Sequence, residues 1–427
     1  MKNIARLVFQ LSVLFTFNPL NAQTPWVRCS NGLPDATVYS LAKVADTLFC
    51  GTLNKGVFRS KDGGQNWTPM PTATPSFNSL QVWTMATLDT FVFAGVRGGS
   101  AGIYRSSVNG NSWVHANTGL TNHVVHDLVA IGNQLFANTF GGGVFVSNDL
   151  GNSWSSWKNR NGMEDKFGYS LAFNENYFFA GTSGINSLPD TGVAYRMLWS
   201  DTAWERVNTG FFRNGAHLEQ VFSMDANDSL VFAGTDDVGL YRSRDFGTNW
   251  DRVMIAPGDV HAIRIACHAV YMGTSFAGTN LSLDDGLTWS PNSAGLTYMS
   301  STLPDLVKDF IALNGFMYTA TTLGVFKQPL PPEGASCITN STSLEKGGNA
   351  LKIKISPNPA AQDLTIENET GQDLWFEIYD TQGKILKHGM LQMHPVLLDV
   401  SGLSGGVYFL KIWGHDGVFT QKVIVAR

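Results

Sequence analysis

One short phrase recurs along this chain and decides most of what it can become. It runs aromatic, small, small, Thr. It appears as Phe49-Cys50-Gly51-Thr52, Phe93-Ala94-Gly95, Phe136-Ala137-Asn138-Thr139 and Phe179-Ala180-Gly181-Thr182, then as Phe232-Ala233-Gly234-Thr235, Tyr271-Met272-Gly273-Thr274 and Tyr318-Thr319-Ala320-Thr321. The copies lie about 45 residues apart on average. Each follows a segment that starts Val-aromatic-small-Leu and precedes one resembling Gly-Val-Phe-Arg-Ser, after which a turn ends in Trp. A unit of this size cannot bury both faces of its strands alone, so the units must stack on one another.

Periods of 40–50 residues with four short strands each are blade periods. The expected fold class is therefore all-β: a seven-bladed β-propeller over residues 23–328, followed by a small immunoglobulin-like β-sandwich. Closure is legible too. The seventh unit ends at Gly324-Val325-Phe326-Lys327 and meets Pro329, Pro331 and Pro332 without a Trp. The missing piece lies at the other end. Trp26-Val-Arg-Cys29-Ser-Asn31-Gly32-Leu33 matches Trp113…Gly119-Leu120 and Trp204…Gly210-Phe211. Trp26 should therefore bring the outer strand of the last blade and remove an open sheet edge.

The Trp-ending turn carries a sharper motif. Ser60, Asp62, Gly64 and Trp67 fit Ser-x-Asp-x-Gly-x-x-Trp, as do Ser147, Asp149, Gly151 and Trp154. Two more copies are Ser243, Asp245, Gly247, Trp250 and Ser282, Asp284, Gly286, Trp289; Ser106, Gly110 and Trp113 keep the frame with Val108 in the Asp slot. These turns resemble the Asp-box (BNR) repeats of sialidase-like propellers, where the boxes are structural. The local chemistry agrees: a carboxylate accepts turn N–H groups, Gly allows positive φ, and Trp anchors the turn.

The ends of the chain speak of export. Lys2 and Arg6 precede an apolar run from Leu7 to Phe17, and Leu20-Asn21-Ala22 ends in a small residue. That is the order of a secretory signal peptide over residues 1–22, and it is too short for a permanent span. No later segment is apolar enough for a transmembrane helix. The net charge of −5 becomes more negative once Lys2 and Arg6 are removed, which argues against a nucleic-acid partner. Cys50 and Cys267, in strand patterns, read as buried thiols, and Cys29 with Cys337 is a candidate pair. No ligand spacing supports a metal, and no cofactor is expected.

Residues 329–351 have linker composition, and residues 352–427 form a separate β pattern. Its words are Ser356-Pro357-Asn358-Pro359, Ile378-Tyr379-Asp380 with Gly383, and Gly406-Val407-Tyr408-Phe409. The module resembles the type A C-terminal sorting domain of type IX secretion, found in Bacteroidetes. The resemblance implies handling by the type IX secretion machinery, passage across the outer membrane and an extracellular or cell-surface location.

In a propeller the loops before each inner strand share one face. Aligning the inner-strand starts gives Tyr39, Trp83, His126, Tyr169, Phe222, His261 and Lys308, ligand-binding candidates on a mostly aromatic rim. The next column holds Ser40, Thr84, Asp127, Ser170, Ser223, Ala262 and Asp309. Asp127 and Asp309 are the best-placed carboxyls for a glycosidase, which needs two across the scissile bond. Most arginines recur in one strand slot and read as scaffold; Arg97, Arg160, Arg213 and Arg264 do not, and no sialidase-type Arg-Ile-Pro motif occurs. The leading expectation is a non-catalytic binding or scaffold module for a glycan or surface-protein ligand. The alternative is a glycoside hydrolase. A third reading, an assembly factor like the photosystem II assembly propellers, would want a basic face that the sequence does not display.

Overall fold

The computed structural model describes residues 24–331 except 35, 71–80, 99–100, 111, 158–161, 185–192, 215–216, 228, 237, 257, 267 and 297–305. It also describes residues 353–426 except 358–359, 361, 369–373, 380–384, 392–395 and 415–416. The chain divides into two units, Met1–Ile338 and Thr339–Arg427.

Among the described residues the first unit holds seven four-stranded antiparallel sheets and a short hairpin, Arg213–Asn214 with His217–Leu218. Sheet I is Val38–Val44, Thr47–Thr52, Val57–Ser60 and Thr68–Pro69 in that order. Sheets II to VI repeat the pattern from their first strands Gln81–Leu88, Val125–Ile131, Gly168–Phe173, Val221–Ala226 and Val260–Ala266. Sheet VII starts with Val307–Leu313, and its outer strand is Val27–Arg28, which pairs with Phe326 and Lys327. The first strand of each sheet packs against the first strand of the next, and that of VII packs against that of I.

The recurring phrase has a packing cause. A Cβ on Gly51 would lie 2.4 Å from Cγ1 of Val82, and equivalent Gly–Val contacts join Gly95 to Val125, Gly181 to Val221, Gly234 to Val260 and Gly273 to Val307. Only Gly lets the next sheet approach this closely. Sheet III inverts the arrangement. Asn138 takes the Gly slot, its Nδ2 donates to the Ser170 carbonyl, and Gly168 takes the slot used elsewhere by Val. A Cβ on Gly168 would lie 1.8 Å from Asn138 Oδ1. Gly168→Val alone should therefore cost about 3 kcal/mol, and adding Asn138→Gly should recover most of it. Denaturant midpoints of the two single variants and the double variant measure this; strictly additive losses would show the two positions do not share a site.

The outer joints are equally regular. Gly32, Gly119, Gly162, Gly210 and Gly295 have positive φ, and a Cβ on any of them would lie 2.0–2.3 Å from the backbone oxygen of the next sheet's Trp. Those Trp residues reach back: Trp67 Nε1 donates to Cys29 O, Trp154 to Ala116 O, Trp250 to Val207 O and Trp26 to Asn292 O. The strand arginines also bridge sheets, at the same Trp-ending turns. Arg59 donates to Val108 O, Arg105 to Leu150 O, Arg196 to Phe246 O and Arg242 to Asp285 O.

In the four Ser-x-Asp turns the Ser hydroxyl donates to the Asp carboxylate and accepts the Gly N–H. The Asp also accepts the backbone N–H four residues on, from Asn66, Ser153, Asn249 or Thr288. These bonds hold Asp62 down to about 2, with the Asn66 backbone and side chain as the main cause. Asp62, Asp149, Asp245 and Asp284 are thus spent inside their own turns. Cys29 and Cys50 are buried free thiols, so Cys29 is not paired as expected; Cys267 and Cys337 lie outside the described residues.

The second unit consists of two antiparallel sheets. One orders Ile353–Ser356, Asp363–Asn368 and Val396–Asp399; the other orders Ile385–Leu391, Leu374–Tyr379, Gly406–Gly414 and Gly417–Val425. Leu364, Ile366, Ile378, Leu410, Ile412 and Val423 fill its core. Gly406 opens a strand, Val407 pairs with Ile424, and the buried Tyr408 donates its hydroxyl to Ser404 O at 2.7 Å. Pro357 is exposed; Asn358, Pro359, Gly383 and residues 1–22 lie outside the described residues.

Candidate functional site

Each of the seven inner strands carries a register shift at the same place, between Val38 and Ser40, Val82 and Thr84, Val125 and Asp127, Gly168 and Ser170, Val221 and Ser223, Val260 and Ala262, and Val307 and Asp309. The skipped residues are Tyr39, Trp83, His126, Tyr169, Phe222, His261 and Lys308. A bulge leaves its extra residue unpaired and re-aims the side chain. All seven side chains are half-buried and come together. Tyr39 stacks on Trp83 at 5.4 Å and Trp83 on His126 at 5.3 Å; His126 meets Tyr169 at 4.9 Å. Tyr169 meets Phe222 edge-on at 4.8 Å, and Phe222 stacks on His261 at 5.5 Å. Lys308 Nζ lies 5.4 Å from the Tyr39 ring centroid and electrostatically disfavours protonation of His261. The contacts follow the cyclic order of the sheets.

Several rim neighbours escape a strand-start alignment because they sit at or just beyond other strand ends. Phe140 stacks on His126 at 5.2 Å and meets Phe167 edge-on at 4.9 Å. The Arg97 guanidinium lies 4.6 Å from the Trp83 centroid, and Asp259 Oδ2 lies 3.6 Å from His261 Nε2. The sequence signal for these was position alone: Arg97, Phe140 and Asp259 each stand at the edge of a strand end on the rim face.

Burial lowers both rim histidines to about 4, helped by Arg97 at His126 and by Lys308 at His261. Burial also lowers Lys308 to about 8. At neutral pH the ring is therefore uncharged except at Lys308. Neither nitrogen of His126 has a hydrogen-bond partner, which suits a neutral imidazole packed among rings.

The second column does different work. Asp127 accepts the backbone N–H of Leu128 on one oxygen and that of Leu171, in the next sheet, on the other at 2.7 Å. Asp309 does the same with Phe310 and with Leu41 of sheet I at 2.8 Å. Asp225, which the alignment did not single out, does so with Ala226 and Ile265. Ser40 and Ser223 reach the next sheet through Val82 O and Val260 O. Arg264 lies 3.9 Å from Asp225 Oδ2 and feels Asp309 and Asp127. These carboxylates hold inner strands together, and neither oxygen of Asp127 or Asp309 is left without a backbone donor.

Burial pushes Asp127 and Asp309 up to about 6. A raised carboxyl favours the folded state below its ordinary value of 3.8, and that contribution is lost as pH rises through about 6. The lowered histidines act oppositely: their contribution is present above 6.5 and is lost as pH falls through about 4. The two pairs should nearly offset. Asp127→Asn with Asp309→Asn should make the protein lose about 3 kcal/mol on going from pH 7 to pH 4 relative to the parent, allowing for screening. His126→Phe with His261→Phe should shift the balance the other way. Denaturant midpoints across this range decide; parallel profiles for all three proteins would contradict the assignment.

Among the described residues no cluster of His, Cys, Asp or Glu is arranged to hold a metal, and no helix is long and apolar enough to cross a membrane.

Comparison with known proteins agrees with this geometry. Residues 354–426 match the family described as secretion system C-terminal sorting domain. No curated protein matches the chain. Among solved structures, "YCF48 bound to D1 peptide" is similar at 15% identity and TM-score 0.56, covering 73% of this chain and 98% of that one. The WD40 β-propeller domain of Doa1 is similar at 11% identity and TM-score 0.51, covering 71% and 96%. The extracellular domain of the putative hybrid two-component system BT3049 from B. thetaiotaomicron is similar at 13% identity and TM-score 0.55, covering 94% of this chain and 60% of that one. The first unit is thus a β-propeller. The second carries the sorting domain that directs export by type IX secretion to the cell surface or extracellular space.

Proposed function

We propose that the seven sheets are the blades of one closed ring, and that the bulged residues form a ligand-binding rim on a non-catalytic surface module. In this reading residues 1–22 are a leader removed on export. Residues 329–351 link the propeller to an immunoglobulin-like sandwich that serves the secretion machinery. The observation that carries the binding role is the sevenfold bulge. A regular strand would suffice for packing; a bulge repeated in every inner strand gathers seven side chains at one place. A propeller of similar fold, YCF48, is known bound to D1 peptide, which favours a protein ligand over none.

Glycoside hydrolysis is the weaker reading. A general acid and a nucleophile or base must reach the substrate. Asp127 and Asp309 instead have their oxygens taken up by backbone donors of neighbouring strands. The test is to probe the full-length protein against glycan and peptide arrays and against chromogenic glycosides. Binding that Trp83→Ala abolishes, with no glycoside cleavage, is expected. Cleavage abolished by Asp127→Asn or Asp309→Asn in a folded variant would overturn the reading.

A further inference from the structure

On one side of the rim, at Tyr39, Trp83 and His126, the ring faces are already occupied by one another. Tyr39 and Trp83 stack with only 13° between their planes, and Trp83 stacks on His126 in turn. A sugar needs an open aromatic face; stacked rings present their edges, which carry the positive end of the ring quadrupole. The stack is also capped by cations. Arg97 lies over Trp83 and Lys308 over Tyr39, so cations flank the stacked pair across three neighbouring sheets. Lys308 has Asp259 as an electrostatic neighbour. Arg97 is exposed and forms no ion pair among the described residues. A guanidinium seated on an indole is held flat, with its N–H edges free to grip a carboxylate with two parallel bonds. Beyond Trp83 the wall turns apolar, through Phe140 against His126 and Phe167.

Resting on the binding role proposed above, we infer that the rim takes an acidic peptide segment, with a carboxylate on Arg97 and a neighbouring apolar side chain against Phe140 and Phe167. The experiment pans a random peptide library and an acidic-glycan array against the full-length protein. Enrichment of peptides pairing Asp or Glu with an apolar residue is expected. Their affinity should fall about tenfold in Arg97→Gln, recover partly in Arg97→Lys and weaken with salt. Because Arg97 is exposed, unchanged thermal midpoints should accompany these losses. Enrichment of neutral or basic peptides, binding of glycans instead, or indifference to Arg97→Gln while Trp83→Ala still abolishes binding would overturn the acidic-peptide inference and spare the rim. Absence of any ligand on either library would overturn both.

Discussion

Removing residues 352–427 should leave a folded propeller stranded in the periplasm. Among the described residues the sorting domain has its own core, built from Leu364, Ile366, Ile378, Leu410, Ile412 and Val423. The deletion removes the segment matched to the secretion family. The surface and medium fractions should fall to background, while protease resistance and tryptophan fluorescence of the periplasmic product match those of the parent. Undiminished surface display after the deletion would contradict the role of this module; a degraded product would instead mean that the two units fold as one.

The second large effect lies at the closing joint. Trp26 is buried, its backbone N–H donates to Ala294 O at 2.8 Å, and its indole donates to Asn292 O at 2.7 Å. Cys29 N–H donates to Val325 O, and the Ser30 hydroxyl both accepts from and donates to Val325. These groups hold the two ends of the propeller together. Trp26→Ala should cost about 3–5 kcal/mol, a fall of roughly 10 °C in Tm for a unit of this size. Gly295→Val should do comparable harm, because its Cβ would stand 2.1 Å from Trp26 O at a φ of +89°. Calorimetry of the leaderless protein measures both. A midpoint within a degree or two of the parent for Trp26→Ala would mean that the first and last sheets hold together without this strand.

What the sequence displays and what it hides have physical causes. The repeat is visible because every sheet solves the same packing problem, so Gly51 and its equivalents and the Trp joints recur in register. The closing strand is visible because Trp26 to Leu33 repeats the wording of an outer joint. The bulges are not visible, since a skipped residue leaves no compositional mark; only pairing shows that Tyr39 and Lys308 share one geometry. The pairing of Asn138 with Gly168 looks like two lapses in the repeat until the contact between them is seen. Asp127 and Asp309 look like channel acids because type and column do not report where an oxygen points. Asp225, two residues further along its own strand than the aligned column, does the same work unseen.

The central claim is that the rim face, and not the face of the Ser-x-Asp turns, meets the ligand. Sheet VI offers a direct comparison. Phe276, 65% exposed, lies in a loop on the rim face, and Leu287, 58% exposed, lies in a turn on the opposite face. A photo-cross-linking phenylalanine analogue placed at either position in the cell-surface protein reads which face is engaged. The account predicts discrete adducts from position 276 and none from position 287. Adducts from position 287 alone would contradict it.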